Sequence, residues 1–195
     1  MIESTDTNLM LLVKNGDQNA FRELVERHKL AVLNLCLRFT GNKADAEDLS
    51  QEVFIRIFQA APNYEVKAAF TTWLYRITVN LCLNYQRKKK FLHFFSLDHG
   101  KNSSLQIQDR IPEFADKGRP DIDIEQKELQ QIVHKAIQSL PENQKTVLIL
   151  YRYHNLSYKE IANVLDTTVS AVESRLHRAK QNLKKKLKFL VEEKY

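Results

Sequence analysis

Residues 157–180 read SYKEIANVLDTTVSAVESRLHRAK. Ile161, Ala162 and Leu165 recur at helical spacing, Asp166, Thr167 and Thr168 interrupt them, and Val169, Val172, Leu176 and Ala179 resume the period on a new axis. Each half opens with an S-x-x-E pattern, Ser157 with Glu160 and Ser170 with Glu173, in which side chains can satisfy the first orphan N–H groups of a helix. The small Ala162 sits where two crossing helices must approach closely. This is the pattern of a helix-turn-helix, whose second helix enters the DNA major groove. A plain helical hairpin with a solvated basic face would share the apolar spacing. Ser174, Arg175, His177, Arg178 and Lys180, followed by Lys184, Lys185, Lys186 and Lys188, concentrate positive charge as phosphate neutralisation requires.

Working outward, four glycines and four prolines in 195 residues leave too few turn formers for a β-rich fold. Leu, Lys, Glu, Gln, Arg and Ala predominate, so an all-α protein is expected, its 43% hydrophobic content enough for a core. Charge divides the chain. Residues 1–90 carry a net of +3, residues 91–125 a net of −3, and residues 126–195 a net of +6. Two basic ends around an acidic connector favour a nucleic-acid partner for both. The two cysteines, Cys36 and Cys82, lie on apolar stretches and are expected as buried free thiols. With no signal peptide and no membrane-length apolar run, a cytoplasmic location is expected.

A short helix over residues 8–15 closes at Gly16. Asp17 then caps a long helix bearing Phe21, Leu24, Val25, His28, Val32, Leu35, Cys36 and Phe39, which Gly41 ends. His28 lies on the apolar stripe and reads as a satisfied core histidine. A third helix from Asn42 or Lys43 turns Leu49, Val53, Phe54 and Ile57 inward and stops before Pro62. After an aromatic loop, a helix over residues 71–90 directs Leu74, Ile77, Leu81 and Tyr85 to a core and Arg76, Asn80, Asn84, Arg87 and Lys88 to a polar stripe. Periodicity fails over residues 91–125, where Gly100, Gly118, Pro112 and Pro120 fall, so a flexible linker is expected there. Its start, residues 91–95 (FLHFF), is apolar enough to pack on the first domain or on a partner. Residues 126–195 form a second domain: an amphipathic helix with Leu129, Ile132, Val133, Ile137 and Leu140, a helix over residues 142–153 with Val147, Leu148 and Leu150 inward, then the opening motif.

No Gly-rich phosphate loop, metal-spaced Cys or His pair, or nucleophile elbow is present, which argues against an enzyme. Asp45, Asp48 and Glu52 share one helix face. No histidine or second carboxylate cluster joins them, so a docking surface for a basic partner is preferred over a metal site.

DAEDLSQEVF (45–54) followed by TWLYRITVN (72–80) resembles region 2 of bacterial RNA polymerase sigma factors, most closely the extracytoplasmic function (ECF) group of the sigma-70 family. SLPENQ (139–144), LSYKEIA (156–162) and SRLHRA (174–179) resemble its region 4. The resemblance implies two small helical domains joined by a flexible linker, no cofactor, and a monomer when free. It implies that Asp45, Asp48, Gln51, Glu52 and Phe54 dock on the β′ clamp helices of core polymerase. The following helix and its preceding loop would recognise and open the −10 promoter element. Tyr64, Phe70, Trp73 and Tyr75 are candidate aromatics; Arg76, Asn80, Asn84, Arg87 and Lys88 are candidate polar contacts. Trp73 and Tyr75 fit a core equally well, whereas Asn80, a poor mid-helix residue, is best explained by a contact. In region 4, Ser170, Ala171, Glu173, Ser174, Arg175 and Arg178 would face the −35 element. Glu173 either closes a capping box with Ser170 or accepts a hydrogen bond from a cytosine amino group. Leu187, Phe189, Leu190 and Val191 could add to a contact with the β flap, and an anti-sigma factor is the implied regulator. A dimeric transcription factor with a ligand-sensing first domain is the rival reading.

Overall fold

Side-chain caps set the boundaries of the first helices. Thr5 accepts from Asn8 N–H and starts α1 (Asp6–Lys14). Asp17 Oδ1 accepts from the N–H groups of Asn19 and Ala20 at 2.8 and 3.1 Å and starts α2 (Gln18–Thr40). Gly41 ends α2 in the left-handed region at φ 67°, where a side chain would meet its own backbone. Asn42 then caps α3 (Lys43–Ala60), and a 3-10 turn, Ala61–Asn63, carries the chain past Pro62. An exposed loop, residues 65–69, leads into α4 (Phe70–Asp98).

The computed structural model describes residues 5–98 and 124–188, with side chains over residues 5–92 and 129–188. It divides into two units, α1–α4 in the first. Where the spacing puts the linker at residue 91, α4 instead continues to Asp98. Residues 81–98 contain no glycine or proline and include four leucines and three lysines, so nothing local stops the helix. The remaining linker expectation, residues 99–123, lies outside the described residues, as do Phe189, Leu190 and Val191 and the side chains of residues 93–95. Phe91 and Leu92 are exposed.

The first core gathers Met10 from α1, Leu24, Val32, Leu35 and Phe39 from α2, Val53 and Ile57 from α3, and Phe70 and Leu74 from α4, all at most 1% exposed. Burial of such side chains contributes on the order of 1.5–3 kcal/mol each, more than any other interaction holding the bundle together. Cys36 and Cys82 are buried free thiols whose Sγ atoms stand 3.8 Å apart between α2 and α4. Asp6 fastens α1 to α2, accepting from Arg27 Nη1 at 3.0 Å and from His28 Nε2 at 2.8 Å. His28 is thus satisfied, its ring 5.5 Å from that of Phe70.

The second unit holds α5 (Ile124–Gln138), α6 (Glu142–His154), α7 (Tyr158–Leu165) and α8 (Val169–Lys186). Among the described residues the protein is helix without strand, in accord with the all-α expectation. Ile137, Val147, Ile149, Leu150, Ile161, Val172, Leu176 and Ala179 fill this core, whereas Leu129 and Val169, expected inward, are exposed. Asn155 and Asp166 end α6 and α7 with φ of 53° and 50°, a conformation that Asn and Asp tolerate better than other side chains.

The Ser157–Glu160 capping box is present. The expected second box is not: Thr168 caps α8, accepting from Ala171 N–H at 3.2 Å, which puts Ser170 inside the first turn and Glu173 beyond capping reach. Thr168 takes the cap because its own backbone is extended, at φ −88° and ψ 154°, while Ser170 already lies within the helix.

Ser157→Ala should destabilise the second unit by about 1 kcal/mol, read in the full chain as faster exchange of α7 amides. Hydrogen bonds from the Ser157 hydroxyl, then from its backbone N–H, hold the Glu160 carboxyl below its ordinary value. The contribution is therefore present above the ordinary value of 4.5 and lost as pH falls through the lower folded value. The difference between wild type and Ser157→Ala should shrink in acid.

Candidate nucleic-acid and protein interfaces

Side chains of α3 that the core does not need form an acidic face. Asp48 and Gln51 are exposed on it, and Glu52, half-exposed, binds Arg56 Nε one turn on at 2.8 Å. Asp45 is less available than the sequence suggests, because Lys89 Nζ of α4 reaches its Oδ2 at 3.2 Å. Phe54 is half-buried, turned towards the bundle rather than fully outward. Ile55 and Phe58, by contrast, are 50% and 49% exposed. Ile55 shares the Asp48–Glu52 side of the helix, and Phe58 rests against Phe21 with ring centroids 5.0 Å apart. Neither stood out in the sequence; their signal was an apolar position off the Leu49, Val53 and Ile57 stripe.

Lys89 also donates to the Tyr85 hydroxyl at 3.3 Å. Partial burial lowers the ammonium pKa, but hydrogen bonds to Tyr85 and Asp45 outweigh it, so Lys89 is held above its ordinary value and stays charged. Burial, reinforced by the neighbouring Asp45 carboxylate, pushes the Tyr85 phenol up.

On α4, Trp73, Arg76, Asn80, Asn84, Arg87 and Lys88 fall within roughly 120° of helix circumference at about 100° per residue. The five polar members are exposed and Trp73 is half-buried at the head of the stripe. The expected aromatic group separates. Tyr64 and Phe70, 5% and 1% exposed, belong to the core, a correction to their reading as surface stacking residues. The reason is tertiary: Phe70 meets His28, and Tyr64 meets Trp73 at 5.1 Å, so both anchor the loop between them. Tyr75 is half-buried, with its phenol pKa raised by burial. Trp73, flanked by Tyr64 and by Phe70 at 6.1 Å, is left as the aromatic surface at this end of α4. The loop residues Glu65, Val66 and Lys67 are exposed beside it and were not singled out from sequence.

In the second unit, Ser170, Glu173, Ser174 and Arg178 are exposed on α8, while Ala171 and Arg175 are partly buried. His177 and Gln181 share the outer face, their Nε2 atoms 2.8 Å apart; Gln181 was missed because its position lies beyond the motif. Lys180 Nζ stands over the Tyr151 ring, 5.5 Å from its centroid, and Tyr151 packs on Tyr158 at 5.5 Å. Among the described residues no cluster of His, Cys, Asp and Glu could hold a metal, and no helix is long and apolar enough to cross a membrane.

An acidic face, a tryptophan-headed basic face and a helix-turn-helix in a separate unit have the chemistry suited to a macromolecular partner and to nucleic acid. Comparison with known proteins agrees. Sigma-70 region 2 matches residues 24–91 and sigma-70 region 4 matches residues 130–183. The ECF RNA polymerase sigma factor SigW of Bacillus subtilis is 35% identical over 178 residues, covering 91% of this chain and 94% of that protein. The ECF sigma-E factor of Escherichia coli K12 is 34% identical over 188 residues, 96% of each chain. CnrH, solved with the cytosolic domain of CnrY, superposes with a TM-score of 0.68 at 22% identity, covering 95% of this chain and 98% of that one. The sigma factor RpoE of Bartonella quintana, solved with the anti-sigma factor NepR, gives 0.63 at 23% identity, covering 86% and 96%. At such identities the two structures bear on fold alone. The chain belongs to the ECF group of RNA polymerase sigma factors.

Because Glu173 does not cap α8, Glu173→Ala should leave the stability of the second unit within about 0.5 kcal/mol of wild type, whereas Thr168→Ala should cost about 1 kcal/mol. Urea unfolding followed by α8 amide signals separates the two.

Proposed function

We propose that this chain, as an ECF sigma factor, docks on core RNA polymerase through the α3 face and contacts a promoter at two places, through α4 and through α8. The observation that carries the reading is the opposed chemistry of two faces in one small bundle: carboxylates around exposed Ile55 on α3, and Trp73 with a file of amide and basic side chains on α4. Asp48, Gln51, Glu52 and Ile55 suit a basic, partly apolar helical surface, the β′ clamp helices. Trp73 supplies a plane for an unpaired base, a contact worth about 1–3 kcal/mol. Asn80 and Asn84 offer donors and acceptors to base edges, and Arg87 and Lys88 hold phosphates of the separating strand.

On α8, Ser170, Ser174 and Arg178 would read the −35 duplex, with Ala171 and Arg175 at its edge. Glu173, relieved of any capping duty, is suited to accept from a cytosine amino group. A second polymerase contact, on the β flap, is assigned to the end of this unit. An anti-sigma factor would regulate by covering the α3 or α4 face, and the exposed Phe91 and Leu92 at the end of α4 suit such a contact. The protein performs no catalytic step itself and acts in the cytoplasm, where core polymerase is found.

Reconstitution with core polymerase on a candidate promoter tests the reading: co-elution and a run-off transcript are expected, and loss of both would overturn it. Asp48→Lys should weaken core binding by about tenfold with the fold intact. Asn80→Ala should reduce promoter opening with core affinity unchanged. Arg87→Ala and Lys88→Ala should each lower the log–log salt slope of promoter binding by about 0.7–0.9, the loss of one phosphate contact.

A further inference from the structure

The exposed loop 65–69 and Trp73 lie beside one another, and the chain fixes both through contacts that do not come from the promoter-facing surface. Within the loop, Lys67 N–H donates to the Glu65 carbonyl at 2.9 Å, and the two side chains form an exposed ion pair. Neither contact ties the loop to the bundle. Its ends do. At the first end, the Tyr64 carbonyl accepts a hydrogen bond from Lys14 Nζ at 2.8 Å, and the Tyr64 ring packs on Trp73. At the second end, the buried Phe70 ring lies against His28, whose Nε2–H donates to Asp6 Oδ2 at 2.8 Å.

Lys14 and Asp6 are the last and first residues of α1. One nine-residue helix, about 13 Å long, therefore underpins both ends of the loop. α1 lies ahead of residues 24–91, the segment matched to sigma-70 region 2, so this support comes from outside that segment. Its attachment to the bundle is carried by Leu9, Met10 and Val13, all buried. Lys14, itself exposed, adds nothing to that core. Its ammonium group instead reaches 50 positions along the chain to a backbone carbonyl. A charged donor on a carbonyl fixes the position of the main chain without depending on the side chain there.

We propose that α1 is a positioning element for promoter opening, in which Lys14, holding the Tyr64 carbonyl, and Asp6, holding His28 against Phe70, set the loop 65–69 and Trp73 in the geometry that captures an unpaired base. The role rests on the assignment of Trp73 and this loop to the −10 contact. Pre-ordering the loop lowers the conformational entropy lost when a base is captured, so loss of a strut weakens opening rather than docking.

Trp73 is the only tryptophan in the chain, so its fluorescence reports on the site directly. The test compares wild type, Lys14→Met, Lys14→Arg and Asp6→Asn as full chains with core polymerase. The promoter is one that supports run-off transcription, labelled in its −10 element with 2-aminopurine. Lys14→Met should open the promoter about three- to tenfold less well, the net worth of one ordinary hydrogen bond at a site open to water. Its core affinity should equal that of wild type, its melting temperature should fall by only about 5 °C so that it stays folded in the assay, and acrylamide should quench Trp73 more strongly in the free chain. Lys14→Arg should restore both opening and quenching. Asp6→Asn, which weakens the other end, should move both readouts in the same direction as Lys14→Met. Wild-type opening by Lys14→Met, or losses only in proportion to a lowered melting temperature or core affinity, overturns the positioning role alone. A wild-type chain that neither co-elutes with core nor opens the promoter overturns the functional assignment, and this role with it.

Discussion

Burial of Phe70, Leu74, Thr78 and Cys82 sets the rotation of α4 about its own axis, and so the direction in which Trp73, Arg76, Asn80 and Asn84 point. The two sets alternate along the same 29-residue helix, so neither can move without the other. A slip of one residue, about 100°, would bring Leu74 and Cys82 towards water and drive polar side chains towards the core. The apolar loss alone is several kcal/mol, and an unpaired buried guanidinium adds more. Even the polar member of the buried set conforms: Thr78 donates its hydroxyl to the Leu74 carbonyl at 2.8 Å, so its donor is met inside the helix. The direction of the polar face of α4 is thus set by core packing on the opposite side of the same helix.

The same separation governs the charges. Acidic α3 and basic α4 meet where Lys89 reaches Asp45, at a pair with side chains 59% and 28% exposed. An ion pair so open to solvent contributes at most about 1 kcal/mol. That is enough to orient the two side chains, and too little to resist a stronger charged group competing for either. Glu52 and Arg56 stand in the same relation within α3. Weak internal pairs keep both faces soluble and hydrated until a partner of stronger field replaces them.

What could be read from sequence followed distance along the chain. Asp17, Gly41 and the Ser157–Glu160 box act within four residues, and the apolar periods of α2 and α8 repeat within one turn; these were legible. The start of α8 was not, because Ser170 and Glu173 offer a locally valid capping box and the sequence pattern does not rank it below Thr168, which caps the helix. Tyr64 and Phe70 look alike as loop aromatics whether they stack on a base or on a neighbour; His28 and Trp73, distant or reversed in the chain, decide it. The reach of Lys14 to Tyr64 has no local signature at all. The polar stripe of α4 was legible because five side chains share one period, whereas its eight-residue extension past Lys90 was hidden by aromatic residues that resemble a patch more than a helix.

Division into two units also bears on affinity. Association of a protein with DNA costs several kcal/mol in lost translational and rotational freedom before any contact counts. On the proposed function, one stacked base and a few phosphates on α4, or a few side chains in a major groove on α8, would barely exceed that cost at physiological salt. Two such contacts held at a spacing matched to the promoter bear most of the cost once, and the second then binds at high effective concentration. A chain between the units can supply proximity, but a fixed spacing needs a body to which both are docked. On the proposed function that body is core polymerase, so weak binding by either unit is a condition of control: promoter recognition switches on with docking, and a competitor that covers the docking face switches it off.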